Sequence, residues 1–172
     1  MLRRILTYPD RRLRKVCETV GNIDDNLRAL AADMLETMYE APGIGLAAPQ
    51  IGVIKRIIVL DCENGEERSA NPIVMFNPEI VDSSNETNVH EEGCLSIPEE
   101  YADVTRPKSV AVRWTGGDGE ERAEVFDGLW ATCVQHEIDH LNGKLFIDRI
   151  GPVKRQMIIR RMNKLKRERD RK

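Results

Sequence analysis

Two of the three histidines in the chain stand four positions apart, in the segment Gln135-His136-Glu137-Ile138-Asp139-His140-Leu141. On a helix, residues separated by four positions lie one above the other on the same face, so two imidazoles there can bind a single metal ion without distorting the backbone. Glu137, between them, is placed to reach a water molecule bound to that ion. The spacing therefore predicts a helix that contributes two ligands to a metal site.

The apolar residues around this motif indicate a helix that is covered by protein on most sides. They are Leu129, Trp130, Ala131, Cys133, Val134, Ile138 and Leu141. A surface helix with two solvated histidines would not show them, whereas a buried helix whose imidazoles bond to carbonyl groups stays an alternative. Asp127-Gly128 predicts the start of the helix, and Asn142-Gly143 predicts its end.

A catalytic metal requires a third protein ligand and one position open to water or substrate. Two ligand arrangements known from peptidases do not fit this chain. One places a third histidine six residues after the second, where this chain has Phe146. The other uses a glutamate from a later helix, but the only later glutamate, Glu168, lies in a basic tail. Cys133 lies on the same helical stripe, but at 1.5 Å per residue it is about 10 Å from His140 along the axis, too far for a shared ion.

Cys94 is the favoured third ligand. It lies in Glu92-Gly93-Cys94-Leu95-Ser96-Ile97-Pro98, where Gly93 and Pro98 predict a bend that displays the thiol. A buried structural thiol is the alternative, but the otherwise incomplete two-histidine site favours a ligand. His90 is a second candidate, although its polar surroundings predict an exposed loop. The four cysteines are widely spaced, which indicates free thiols rather than disulfides.

The rest of the pattern predicts an α+β fold, with antiparallel β-sheets packed around the central helix and a C-terminal helix after it. Asp24 is expected to cap an earlier helix that ends at Pro42-Gly43. Strand patterns fall at 57–60, 73–76, 80–81, 110–114 and 123–126. Turn signals between strands fall at 63–66, at Asn77-Pro78 and at 116–119.

The length of 172 residues, 41% of them hydrophobic, indicates one domain over residues 1–172. No apolar run approaches the roughly 20 residues that cross a bilayer, and the basic residues at 1–4 do not lead into an apolar signal core. We therefore expect a cytoplasmic location and no membrane partner. Nothing in the chain indicates sequence-specific DNA binding.

The last part of the chain is strongly basic. Residues 151–172 hold ten lysines or arginines against two acidic residues, a local charge of +8 that leaves −11 for residues 1–150. Val153, Met157, Ile158, Met162 and Leu165 recur on one side, so residues 152–172 are predicted to form a basic amphipathic helix. The charge indicates either an anionic partner or a solvated face.

Three sequence blocks stand in a diagnostic order: Gly43-Ile44-Gly45-Leu46-Ala47-Ala48-Pro49-Gln50, then Glu92-Gly93-Cys94-Leu95-Ser96, then Gln135-His136-Glu137-Ile138-Asp139-His140. In these blocks, and over nearly its whole length, the chain resembles the peptide deformylases. The resemblance implies a metal-dependent amide hydrolase. Such an enzyme removes the formyl group from the N-terminal N-formylmethionine of nascent polypeptides and releases formate.

The resemblance also implies roles for residues of these blocks. Cys94, His136 and His140 would be the metal ligands, and Glu137 the general base and acid. Gln50 and the backbone N–H of Leu95 would hold the substrate carbonyl oxygen. The substrate-binding residues would be Ile44, Gly45, Gly93 and Leu129, with Ile44 and Leu129 lining a methionine pocket.

The implied cofactor is one divalent ion, ferrous iron by the resemblance, although thiolate and imidazole ligands also suit zinc, nickel and cobalt. The implied partners are the N-formylmethionyl peptide and, through the basic C-terminal helix, ribosomal RNA. The chain departs from the family in three places: His90 and Thr132 fall where many bacterial members carry aliphatic residues, and Tyr101 where many carry arginine. These departures concern the polarity of the pocket and the contacts with the peptide.

Two other functions fit the metal motif. One is a metallopeptidase of the wider His-Glu-x-x-His group, and the other is a catalytically inactive, ribosome-associated metal-binding paralogue. Glu137 and Gln50 argue against the inactive protein, because binding alone needs neither residue.

Overall fold

The computed structural model describes residues 1–63 and 70–172. Within them the chain forms three α-helices, α1 (Asp25–Glu40), α2 (Gly128–Leu141) and α3 (Pro152–Asp170). Seven strands are present, β1 (Gly45–Ala47), β2 (Ile57–Leu60), β3 (Ile73–Ser83), β4 (Thr87–Cys94), β5 (Ile97–Pro107), β6 (Ser109–Thr115) and β7 (Glu121–Asp127). Short 3-10 helices occur at Arg11–Arg14, Ala48–Ile51 and Phe146–Arg149.

All strand pairs in this part of the chain are antiparallel. Five strands form a sheet in the order β1-β2-β3-β6-β7, and β4 and β5 form a separate hairpin. With three helices, this arrangement confirms the predicted α+β fold.

The ends of α1 and α2 follow the predicted capping signals. The Asp24 carboxylate accepts a hydrogen bond from the Leu27 N–H at 2.9 Å, and α1 ends shortly before Pro42. The Asp127 carboxylate accepts from the Gly128 N–H at 2.8 Å. After α2, Gly143 has φ 72°, a left-handed conformation that glycine adopts without strain.

Strand β2 is buried on both faces because helices cover both sides of the sheet. Ile58 and Leu60 belong to the core that contains the apolar side chains of α2, whereas Ile57 and Val59 belong to the core that contains those of α1. Burying each large apolar side chain stabilises the fold by about 1.5–3 kcal/mol. Helix α2 is therefore held firmly against the sheet.

A third core joins the β4–β5 hairpin to the C-terminal helix. It contains Ile97 and Val104 of β5, Phe146, and two buried residues of α3, Ile158 and Met162. The other side of α3 is exposed. None of the helices in residues 1–63 and 70–172 has the length and hydropathy that a bilayer crossing requires.

One predicted break lies inside a strand. Asn77, with φ 51°, lies within β3, and the pairing with β6 shifts register between Phe76 and Glu79. The Asn77 side chain accepts a hydrogen bond from the Val20 N–H and donates one to the Val20 carbonyl. These bonds hold a β-bulge rather than a strand end. The turn predicted at 63–66 lies, apart from Glu63, outside the described residues.

Candidate active site

The β4–β5 hairpin carries Cys94 to its tip. Leu95 and Ser96 join the two strands, and the register shifts between Gly93 and Cys94. The loop predicted around His90 is wrong, because His90 is a half-buried residue of β4 that pairs with Val104. Many side chains of this hairpin are polar and exposed, which obscured its strand pattern.

Cys94 meets the two histidines of α2. The ligand atoms of Cys94, His136 and His140 all lie within 4.8 Å of one another. The Cys94 Sγ lies 3.4 Å from the His140 Nε2, and the two histidine rings have centroids 5.1 Å apart. One thiolate and two imidazoles suit a late divalent metal and leave a fourth tetrahedral position for water or substrate. The three residues therefore fit the metal that the sequence predicts.

A carboxylate orients one of the two histidines. The Glu92 Oε1 lies 2.9 Å from the His136 Nδ1, which directs the His136 Nε2 toward the site. Burial alone would raise the pKa of Glu92, but hydrogen bonds from Arg106 and His136 lower it, so Glu92 stays ionised. Such a carboxylate behind a metal-binding imidazole sets its tautomer and its ring orientation.

Arg106 connects this carboxylate to a second one. Its guanidinium donates to both oxygens of Glu92, at 2.7 and 2.9 Å, and to Asp139 at 2.9 Å. Asp139 also accepts two hydrogen bonds from Arg149. Glu92, Arg106 and Asp139 are 5%, 3% and 8% exposed. No sequence signal assigned these residues a role: Glu92 and Asp139 stand beside ligands in the motifs, but Arg106 has no motif around it.

Glu137 lies buried next to the ligands. It is 4% exposed, and its Oε2 has no hydrogen-bond partner among the described residues. Burial raises the pKa of Glu137 to about 7. A Cβ at Gly45 would lie 2.6 Å from the Glu137 Oε1 and 2.9 Å from the Cys133 Sγ. Gly45 therefore lacks a side chain because Glu137 and Cys133 occupy that space.

Gln50 is held with its amide nitrogen toward the site. Its Oε1 accepts from the Ala47 N–H at 2.9 Å, while its Nε2 donates to the Ser96 Oγ at 3.1 Å and lies 3.5 Å from the Cys94 Sγ. Gln50 is 1% exposed. Ser96, for which the sequence predicted no role, helps to fix the direction of this amide.

A cavity of about 420 Å³ opens beside the three ligands. Nine of the ten predicted site residues line it, namely Ile44, Gly45, Gln50, Gly93, Cys94, Leu95, Leu129, His136 and Glu137. The tenth, His140, completes the ligand set. Tyr101 and Thr132 also line the cavity, and the Tyr101 ring covers Gly93, where a Cβ would lie 2.6 Å from the Tyr101 Cε1.

Three side chains that could hold a metal ion, with a buried carboxylate beside them in an α+β fold, are typical of a metal-dependent hydrolase. The family model described as polypeptide deformylase matches residues 2–156. The chain belongs to the peptide deformylase family.

Individual relatives agree over nearly the whole chain. A peptide deformylase of Rhizorhabdus wittichii is 50% identical, over 98% of this chain and 97% of the relative. A crystal structure of a peptide deformylase from Legionella pneumophila has a TM-score of 0.89 at 46% identity, covering 100% of this chain and 99% of that one. The peptide deformylase from Ehrlichia chaffeensis in complex with actinonin has a TM-score of 0.91 at 40% identity, covering 96% and 98%.

Proposed function

We propose that this chain hydrolyses the formamide bond of N-formylmethionine at the start of nascent polypeptides, with formate and a free amino group as products. The observation that carries the proposal is the convergence of Cys94, His136 and His140 within 4.8 Å, with Glu137 in the same cavity wall. The relatives' shared name supports the same reaction. The cytosol, where such chains emerge, is the proposed location.

Cys94, His136 and His140 would hold one divalent ion, and ferrous iron is the proposed native metal. The donor set supports a late divalent metal in general, and the choice of iron follows the family resemblance. When bound, the ion lowers the pKa of a water molecule toward 7 and polarises a carbonyl oxygen.

Glu137 is the proposed general base and acid. It accepts the proton of the attacking water and later returns a proton to the leaving amine. Burial raises its pKa to about 7, so the side chain can both accept and donate a proton near neutral pH. Negative charge develops on the formyl oxygen during the attack, and donors at that oxygen stabilise it. The proposed donors are the Gln50 Nε2 and the Leu95 N–H.

The remaining predicted residues are proposed to hold the peptide. Backbone groups of Ile44 and Gly45 would hydrogen-bond it, Gly93 would contact it from the cavity wall, and Ile44 with Leu129 would receive the methionine side chain. All four line the cavity next to the ligands. Tyr101 stands where many members of the family carry arginine, and it is 58% exposed at the same cavity. An aromatic ring, rather than an arginine side chain, would therefore face the incoming peptide.

A paired-substrate assay tests the proposal. Protein purified without oxygen should contain about one metal ion per chain, as a single three-ligand site requires. It should release formate from a formyl-methionyl peptide and act at least about 100-fold more slowly on the acetylated peptide, because an added methyl group must fit the same site. Cleavage of internal peptide bonds without deformylation would identify a metallopeptidase instead. Bound metal without any turnover would identify the inactive paralogue.

We further propose that α3 docks on ribosomal RNA, on the basis of its exposed basic residues. Deleting 152–172 would also remove Ile158 and Met162 from the core, so charge reversal is the sharper test. The double variant Lys164→Glu/Arg167→Glu should weaken co-sedimentation with ribosomes about tenfold or more, because phosphate contacts supply such affinity. Lys15→Glu/Lys55→Glu makes the same change in net charge at exposed sites elsewhere. Equal loss in both double variants would contradict docking through α3.

A further inference from the structure

A hydrogen bond at the cavity wall, between Thr132 and His90, has no role in the proposed reaction. The His90 Nδ1 lies 2.6 Å from the Thr132 Oγ1. Thr132 is 7% exposed and lines the cavity, whereas His90 does not belong to the lining and lies behind it on β4. The described α2 residues in the wall are Leu129, Thr132, Cys133, His136 and Glu137, and Thr132 is the only one of them with a hydroxyl.

Thr132 lies at a distance from the proposed metal ligands that the side chain of the substrate methionine could reach. It precedes the ligand His136 by four residues, so it lies on the same face of α2 about 6 Å away along the axis. A methionine side chain that starts beside the scissile amide and enters the cavity spans a comparable length. Its sulfur would then lie near the Thr132 hydroxyl, with Ile44 and Leu129 around the rest of the chain.

The hydrogen bond with His90 allows the Thr132 hydroxyl to pair with or without a ligand acceptor in the cavity. A threonine hydroxyl has one donor and two acceptor sites, and a neutral imidazole carries its proton on either nitrogen. When the His90 Nδ1 donates to Thr132, the Thr132 proton is free to point at a ligand acceptor. When no acceptor is present, Thr132 donates to the His90 Nδ1, so the hydroxyl is not left buried and unpaired.

We infer that the Thr132–His90 pair adapts this pocket to an oxidised substrate, N-formylmethionine sulfoxide, in addition to N-formylmethionine. This inference rests on the proposed function. The thioether sulfur of methionine is a weak acceptor, whereas oxidation makes the side chain polar. Burying the sulfoxide oxygen against aliphatic walls alone would be costly, and the Thr132 hydroxyl supplies the missing hydrogen bond.

The test compares three formyl dipeptides that differ only in the first side chain: methionine, methionine sulfoxide as each separate epimer, and norleucine. For the native protein, kcat/KM for the better sulfoxide epimer should fall within about tenfold of that for methionine, because one satisfied hydrogen bond offsets the desolvation. In Thr132→Val, which removes the hydroxyl at nearly constant shape, the sulfoxide-to-norleucine ratio should fall about tenfold. Thr132→Ser keeps the hydroxyl and should keep the ratio.

Each ratio is measured on one protein sample, so a partial loss of folded protein cancels. An unchanged ratio in Thr132→Val, or a native protein that turns over the sulfoxides about 1,000-fold more slowly than methionine, overturns the inference while the deformylase function stands. A native protein that does not act on formyl-methionine overturns both.

Discussion

Replacing Glu137 with glutamine should lower kcat on a formyl-methionyl peptide by about 100- to 10,000-fold, the usual contribution of a general base and acid. Glutamine has nearly the same shape but neither accepts the water proton nor returns one to the amine. The three ligands are untouched, so the bound metal per chain should be unchanged. Steady-state kinetics and elemental analysis of the same sample measure both quantities.

Glu91→Gln is the matched control for this change. Glu91 is an exposed carboxylate at the same cavity, so its neutralisation tests whether loss of charge alone slows the reaction. Its kcat should stay within about threefold of the native value, as is usual for a surface change. If Glu137→Gln also stayed within about threefold, proton transfer by Glu137 would be wrong.

Arg106→Met should lower the free energy of unfolding by about 3–5 kcal/mol, because breaking a buried ion pair leaves a charge uncompensated in the interior. Asp139 keeps its hydrogen bonds from Arg149, so the main uncompensated group is Glu92, which is 5% exposed. Glu92 would then tend to take up a proton and lose its hold on the His136 Nδ1. We therefore expect weaker metal binding in addition to the loss of stability.

Urea titration of the metal-loaded protein measures the free energy of unfolding, and competition with a chelator measures the affinity for the metal. Arg113→Met provides the control, because the Arg113–Glu79 pair joins side chains that are 55% and 62% exposed. Exposed pairs contribute at most about 1 kcal/mol. Similar losses in the two variants would show that Arg106 has no special part in holding the metal ligands.

Much of the fold followed from local signals. Asp24 and Asp127 accept the first N–H bonds of α1 and α2, and Gly143 follows the end of α2, because capping depends on residues only a few positions apart. The β4–β5 hairpin was not predicted. Exposed polar side chains masked its strand pattern in the sequence, whereas the structure shows long antiparallel pairing, with burial that alternates along β5.

In the candidate site, too, some residues could be predicted from local sequence and others could not. The blocks around Gln50, Cys94 and Glu137 could be recognised in the sequence, and the structure places them around one cavity. Ser96, Arg106 and His90 could not be assigned from their neighbours, because each acts on a residue distant in sequence. Their partners are Gln50, Glu92 and Thr132, respectively.

The sequence by itself determined that His136 and His140 share one face of a helix with Glu137 between them, since that geometry depends only on the helical repeat. Only the tertiary structure decided that Cys94 lies against them, that Glu92 and Arg106 orient His136, and that His90 reaches Thr132. Those contacts depend on how α2 packs against the β4–β5 hairpin and on the register of that hairpin. Packing and register arise from the whole core, and no short stretch of residues encodes them.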